Sequence, residues 1–299
     1  MGLNTEATAA LVYLILYVIV FSILILGYAT GRLELRSRFT VITFHVAVRL
    51  ASQAVGLAFG IEGFSNINLL IAYFILGAEG YFTLVLCTYR CLISWHYHNF
   101  ESNDSWLEPR LPPGTPFLQR LHNGFAVFGS KRRPMTLMHY FLIGANAIII
   151  AGGVNNSRDT GRIMRTVGQS IFLTVNTILL ACIFQAMQQY RRERPGRKMH
   201  PTLYVLLAAW PLLCVRGLYG LLAGIYPPFS YFNPDNYDAN GLTDAFVISE
   251  YILSTTMEWA SCVLLMLTYV TSRNDPPLPP LKEQSNGGKD NSMVMQPLL

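Results

Sequence analysis

Long runs of apolar residues, separated by short polar stretches, recur along the whole chain. A helix needs about 20 mostly apolar residues to cross the roughly 30 Å hydrocarbon core of a bilayer. Seven runs reach about that length, so the pattern predicts seven transmembrane helices. Their predicted bounds are 8–30, 39–61, 68–94, 135–152, 164–189, 200–225 and 242–271.

The composition supports a membrane protein. The 299 residues are 52% hydrophobic and 13% charged, with a mean hydropathy of +0.34, which is too apolar for an ordinary soluble domain. We therefore predict an all-α polytopic membrane protein in which residues 1–272 form one seven-helix transmembrane domain.

The last segment, residues 273–299, differs from the rest because it is rich in proline, glycine and polar residues. Such a segment cannot bury enough apolar surface to order itself, so we predict a disordered cytoplasmic tail. Its PPLPP core favours polyproline II, which adaptor domains bind. An adaptor is therefore a candidate partner, and a solvated spacer is the simpler interpretation.

Lysine and arginine concentrate in alternate loops, which predicts the orientation. Positively charged loops stay on the cytoplasmic side, so the N-terminus should lie outside and the C-terminus in the cytoplasm. Only Arg158, Arg162 and Arg165, around the fourth loop, depart from the bias. The net charge of +5 then reflects loops held beside anionic membrane lipids, and we expect no nucleic-acid partner. The cytoplasmic set is Arg32, Arg36, Arg38, Arg110, Arg120, Lys131, Arg132, Arg133, Arg191, Arg192, Arg194, Arg197, Lys198, Arg273, Lys282 and Lys289.

Patterns typical of metal or cofactor chemistry are weak or missing in the sequence. The five cysteines all fall in predicted spans and have no CxxC spacing. His96 and His98 form an HxH pair without a carboxylate or cysteine at ligand spacing, and Trp95 beside them favours an interfacial aromatic belt. Nucleotide loops, zinc motifs and nucleophile elbows are absent, so we expect neither a cofactor nor a metal.

Five residues that are charged at neutral pH lie deep inside the predicted spans, away from their ends. A charge at the bilayer centre costs about 2.5–3.5 kcal/mol even on lenient insertion scales, so each must face a partner or water. These residues form the candidate site, as a ligand-binding or a structural charge network. They are Arg49, Glu79, Arg216, Glu250 and Glu258.

The depths of these residues along their helices predict how they pair. Counted at 1.5 Å per residue, Arg216 and Glu250 match in depth, and we predict that they form an ion pair. Arg49 lies near the midplane, where Glu79 or Glu258 could hold it. With three glutamates for two arginines, one carboxylate is left over, and in an apolar site it favours its protonated form. That group could relay a proton or bind a polar headgroup; alternatively, the network only locks the bundle.

Two segments show an internal similarity. Residues 48–61 read VRLASQAVGLAFGI and residues 215–225 read VRGLYGLLAGI, and each precedes a span with a glutamate. This pattern is compatible with a parallel repeat of three spans around the fourth, as in some transporters with a site between the halves. Chance similarity between apolar helices is the alternative.

The stretch WPLLCVRGLYGLLAGI, followed by FNPDN and a last span with a glutamate, resembles a group of fungal seven-span integral membrane proteins. FHVAVRLASQAVGLAFG and RTVGQSIFLTVNTILL are similar to the second and fifth spans of that group. The layout is also similar to fungal lipid-translocating exporters and to fungal seven-span receptor-like proteins. The group has no established catalytic residues, so only motif positions carry over, and Glu258 lies outside the motif. These positions are Pro211, Arg216, Tyr219, Asn233, Pro234 and Glu250.

Three classes of function remain. A transporter of a lipid-like or small amphipathic solute accounts for charges near the midplane, and membrane lipids and such a solute are the expected partners. A seven-span receptor-like sensor accounts for the span count, but CTYRCLISW, at the end of the third span, carries no acidic-arginine-tyrosine switch. An intramembrane enzyme, such as a terpenoid cyclase, would need a protonated glutamate in an apolar cavity. We expect a non-enzymatic transporter.

Overall fold

The computed structural model describes residues 4–34, 37–100, 105–108, 134–155, 157–238, 241–276 and 278. All five basic residues predicted for the third loop, together with Arg36, lie outside the described residues. The proline-rich tail from residue 279 onward does so too.

Helices make up almost all of the described structure. The seventh predicted span is divided into α7 and α8 by a π-helical turn at Tyr251–Thr255. A short hairpin precedes it, in which β1 (Tyr237–Asp238) pairs antiparallel with β2 (Gly241–Leu242). The helices are α1 Thr5–Ala29, α2 Phe39–Glu62, α3 Ile67–Asn99, α4 Pro134–Gly153, α5 Arg158–Glu193, α6 Pro201–Ile225, α7 Asp244–Glu250 and α8 Thr256–Thr271.

Five helical segments among the described residues are long and apolar enough to cross a membrane. One of them, Phe39–Asn99, contains both α2 and α3, because only the 3₁₀ turn Gly63–Asn66 separates them. A shorter apolar helix covers Met138–Gly153 within α4. The chain is thus an all-α polytopic membrane protein. The five segments are Thr5–Ala29, Phe39–Asn99, Asp159–Glu193, Pro201–Ile225 and Asp244–Thr271.

The bundle is apolar outside and partly polar inside. Large aliphatic side chains of α1 are about half exposed, for example Ile15 at 53% and Leu26 at 63%. Such a surface suits lipid and would be a large apolar patch in water. In the interior, Gln53, Asn176 and Glu258 are fully buried.

Helix α3 lies at the centre of the bundle. It packs against α2, α4, α5, α6 and α8, while α1 packs mainly on α2 and α5 packs between α4 and α6. The central position explains why its middle is fully buried, with Tyr81, Leu84 and Cys87 all at 0% exposure. Residues on α3 therefore face every part of a site inside the bundle.

One end of the bundle carries the hairpin, and we call it the hairpin end (residues 226–238, 241–243 and the helix ends beside them). Arg162 Nε donates to the carbonyl of Gly224 at 2.7 Å, and its Nη2 donates to Ile225 O at 2.6 Å. Arg165 Nη1 donates to Gly152 O at 3.0 Å. These arginines satisfy the last carbonyls of α6 and α4 and complement the helix dipoles, which explains two of the three basic residues outside the charge bias.

The opposite end is built around Trp95, and we call it the Trp95 end (residues 95–100, 105–108, 190–200 and 272–276). Trp95 is fully buried and packs against Phe100, Tyr190 and His200. The interfacial position expected for it is therefore wrong, because α3 continues to Asn99 and α5 to Glu193, so both helices enclose the ring.

Candidate functional site

Three charged side chains meet in the bundle interior. Arg216 Nε donates to Glu258 Oε1 at 2.5 Å. Arg49 Nε lies 3.0 Å from Glu258 Oε2 in an ion pair that is not aligned as a hydrogen bond. Glu258 is fully buried, and the side chains of the arginines are 4% and 8% exposed. One carboxylate from α8 thus connects α2 with α6.

The remaining two glutamates have neutral partners. The Tyr73 hydroxyl donates to Glu250 Oε1 at 3.1 Å, and Asn146 Nδ2 donates to Glu79 Oε1 at 2.6 Å. The predicted ion pair of Arg216 with Glu250 is therefore wrong, because Arg216 pairs with Glu258 instead. Of the two partners predicted for Arg49, Glu258 is the one that pairs with it.

The mispairing has a physical cause. Depth was counted from Cα positions, but a long arginine side chain reaches away from its own Cα along the helix. Glu258 follows Glu250 by eight residues, which is about 12 Å along a helix axis. The π-helical turn Tyr251–Thr255 lies between the two carboxylates and shifts the direction of everything after it. Neither effect can be read from depth alone.

Two glycines of the packed helices let the charged group assemble. A Cβ added to Gly80 on α3 would lie 2.9 Å from the carboxyl carbon of Glu258. A Cβ added to Gly217 on α6 would lie 2.9 Å from Tyr81 Cζ, and the Tyr81 ring lies 5.6 Å from the Arg216 guanidinium carbon. Because glycine has no side chain, α3 can approach both α6 and α8 closely at these positions.

A cavity of about 320 Å³ adjoins the charged group, and we call it the arginine cavity. This volume falls in the range of small-molecule sites, about 300–1,000 Å³. Its polar lining includes Arg49, Arg165, Arg216, Gln169 and Glu250, while many of its other lining residues are apolar. A second cavity of about 210 Å³ at the hairpin end shares Arg165 and Phe232 with it. The arrangement suits a ligand with one polar end and one apolar end.

The motif positions fall into two groups. Tyr219 lines the arginine cavity beside Glu250, whereas Pro211 lies inside α6. Asn233 and Pro234 are outside the site and shape the hairpin end, since Asn233 caps the 3₁₀ turn that Pro234 begins. Of the motif positions, Arg216, Tyr219 and Glu250 therefore belong to the site, and Pro211, Asn233 and Pro234 do not.

A buried carboxylate that the sequence did not reveal lies near this group. Glu6, in the first turn of α1, is 2% exposed, and neither of its oxygens has a hydrogen-bond partner among the described residues. It lies within electrostatic range of Glu250 and close to Gly241 of the hairpin. The predicted first span began at residue 8, so Glu6 was not among the predicted intramembrane charges. The hairpin lies close to it, since a Cβ added to Gly241 would be 3.9 Å from Glu6 Oε2.

Comparison with known proteins finds little. No known family profile matches the chain, and no solved structure is significantly similar. The chain is 26% identical over 124 residues to a probable dolichyl pyrophosphate Man9GlcNAc2 alpha-1,3-glucosyltransferase of Caenorhabditis elegans. That match covers 40% of this chain and 24% of the relative, so the chain spans about a quarter of the length of the protein it matches. The chain is an integral membrane protein, and its activity has to be argued from the site.

Proposed function

We propose that the chain crosses the membrane seven times, with the hairpin end outside and the Trp95 end in the cytoplasm. The long segment Phe39–Asn99 contributes two passes, since α2 and α3 pack against each other across the 3₁₀ turn. Helix α4 contributes another, alongside α5. Basic residues of the described loops, such as Arg38, Arg191 and Lys198, favour a cytoplasmic Trp95 end.

Cysteine labelling tests this topology. Asp235→Cys at the hairpin end and Lys198→Cys at the Trp95 end both replace exposed residues. In sealed vesicles of known sidedness, an impermeant maleimide should label Asp235→Cys from the outside and Lys198→Cys only after permeabilisation. The native chain is the control, because its cysteines are buried or half-buried. The reverse labelling pattern would overturn the proposed orientation. Labelling of both variants from the same side would overturn the proposed number of spans.

We further propose that the protein translocates a lipid-like or small amphipathic solute through the arginine cavity. The observation that carries this proposal is a cavity with apolar walls and a polar lining that includes Arg49, Arg216 and Glu250. Ionisable residues inside a membrane are rare, and they typically mark substrate or ion pathways. The three-residue ion group also locks helices together, but a lock alone does not require an open cavity beside it.

The one relative supports the same class of ligand. Its name contains a dolichyl pyrophosphate, an amphiphile with an apolar chain and an anionic headgroup. That relative is named as a transferase, and the short overlap does not extend its reaction to this chain. We use it only to support an amphipathic ligand.

Filling the cavity tests translocation. Gly153 lines the arginine cavity, and an added Cβ there meets nothing within 4 Å, so a larger side chain can begin in open space at this wall. In proteoliposomes with a fluorescent phospholipid, we expect the native protein to move label between leaflets and Gly153→Leu to reduce the rate towards that of protein-free vesicles. Quenching by dithionite added outside measures the rate.

A matched control is available on the same helix. Gly144 also has nothing within 4 Å of an added Cβ, but it does not line the cavity. Gly144→Leu should therefore translocate like the native protein. Equal rates for the native protein and Gly153→Leu would reject the cavity as the path, and no transfer by the native protein would reject translocation of this lipid class.

A further inference from the structure

We propose that the arginine cavity binds an amphiphile with a single anionic headgroup, and that Glu250 takes up one proton as the headgroup enters. This inference rests on the proposed function, which leaves the charge of the solute open. The shared chemistry is a headgroup oxyanion, whether carboxylate, phosphate or sulfonate.

The charge count around the cavity favours an anion. Arg49 and Arg216 share the single carboxylate of Glu258, so the three side chains carry one positive charge in excess. Glu250 lies within electrostatic range of both arginines and balances this charge when it is ionised. An anionic headgroup can replace Glu250 in that role only if Glu250 becomes neutral, because two anions beside one arginine pair repel each other.

Hydrogen-bonding groups are accessible at the cavity wall. Gly220 lines the cavity without a side chain, and a Cβ there would lie 3.1 Å from Arg216 Nη1 and 2.6 Å from Gln169 Oε1. The wall therefore exposes a guanidinium edge and an amide to the cavity at Gly220. Gln169 is 7% exposed, and its Oε1 has no hydrogen-bond partner among the described residues. The guanidinium supplies the donors that an oxyanion requires, whereas Gln169 Oε1 is an acceptor for a protonated group in the cavity.

Glu250 completes this group. It is 7% exposed, and its Oε2 has no hydrogen-bond partner in the described part of the chain. A proton from hydronium in the solvent converts this carboxylate from an acceptor into a donor for the headgroup: one O–H bond of hydronium breaks, the carboxyl O–H bond forms, and water is left. The net result is one anion and one proton bound together.

Among the described residues that interact electrostatically with Glu250, the positively charged ones are Arg49 and Arg216. Its surroundings are Tyr73 of α3, Arg49 of α2, Arg216 and Tyr219 of α6, Glu258 of α8, Glu6 of α1 and the adjoining Tyr251. Two further carboxylates among them make an additional anion at Glu250 unfavourable. Protonation of Glu250 is therefore coupled to occupation of the cavity.

The apolar part of the ligand has a matching surface. The apolar residues that line the cavity on this side are Ile71, Phe74 and Ile75 of α3, Ile149 and Ile150 of α4, and Val154 just after α4. Ile71 and Ile75 are also 44% and 38% exposed on the outside of the bundle. A chain held between α3 and α4 could thus extend from the arginines to the surrounding lipid.

Binding to the full-length protein in nanodiscs tests the inference, with empty nanodiscs as the reference. Decane-1-sulfonate is a permanently charged probe, and decanol and decyltrimethylammonium are its neutral and cationic counterparts. We expect the sulfonate to bind at least about tenfold more tightly than either, as charge-assisted hydrogen bonds imply. Its Kd should rise by about tenfold per pH unit once Glu250 loses its proton in the empty protein. Decanoate and decyl phosphate then distinguish carboxylate from phosphate headgroups.

Two variants separate the parts of the proposal. Glu250→Gln should bind the sulfonate tightly with no dependence on pH, and Gly153→Leu should bind it weakly while Gly144→Leu binds normally. Equal affinity for decanol, or a pH dependence that survives in Glu250→Gln, would overturn the inference. If either of these results is found but the protein still translocates phospholipid, the proposed function holds and the anion-binding inference fails. If the anion binds as expected without translocation, the site stands and the transport proposal fails.

Discussion

Replacing Glu258 with alanine should be among the most destabilising single substitutions in this protein. The carboxylate accepts from Arg216 and pairs with Arg49, and all three side chains are buried. Removing it leaves two guanidinium groups without a counter-charge, and breaking one buried pair typically costs about 3–5 kcal/mol. We expect Glu258→Ala to unfold in detergent at a much lower temperature than the native protein, as followed by intrinsic tryptophan fluorescence.

Two further variants distinguish lost charge pairing from lost packing. The triple variant Arg49→Met, Glu258→Leu, Arg216→Met removes all three charges and keeps similar volume, so it should recover much of the stability. Glu250→Gln keeps an acceptor for the Tyr73 hydroxyl and leaves both arginines in contact with Glu258, so it should lower the unfolding temperature less than Glu258→Ala does. An unfolding temperature of Glu258→Ala equal to that of the native protein would show that the ion group contributes nothing to stability.

The helices were predictable from the sequence because their signals are local. An apolar run of sufficient length predicts a membrane helix wherever it lies, and observed bounds such as Phe39–Glu62 and Pro201–Ile225 agree closely with the predicted 39–61 and 200–225. The third and fifth helices are longer than predicted at their polar ends. Those ends contain Trp95 and basic residues, which packing and not hydropathy keeps helical.

The membership of the charged group could also be predicted, but its pairing could not. Each intramembrane charge was expected to have a partner, and even Glu79 has one in Asn146. Which glutamate pairs with Arg216 depends on the rotation of the helices, on the π-helical turn and on how far the arginine side chain extends. None of these follows from sequence spacing. Glu6 was missed for a related reason, since a hairpin distant in sequence lies close to it.

Valine at Gly80 should have the second large effect. An added Cβ lies 2.9 Å from Glu258 Cδ and 3.0 Å from its Oε1, which is tighter than normal contact. Glu258 cannot move aside without lengthening one of its two arginine contacts. We therefore expect Gly80→Val to cost up to about 3 kcal/mol, at the upper end of overpacking, despite the better helix propensity of valine. Thermal unfolding in detergent measures the loss.

Gly77, less than one turn earlier on α3, is the matched control. An added Cβ there meets nothing within 4 Å, and the residue lines the arginine cavity. Gly77→Val should therefore leave stability unchanged or raise it by a few tenths of a kcal/mol through helix propensity. Because both variants make the same chemical change in the same helix, a difference between them isolates the contact with Glu258. Equal unfolding temperatures would mean that α3 does not press on the carboxylate, and the close approach of α3 to α8 would have to be abandoned.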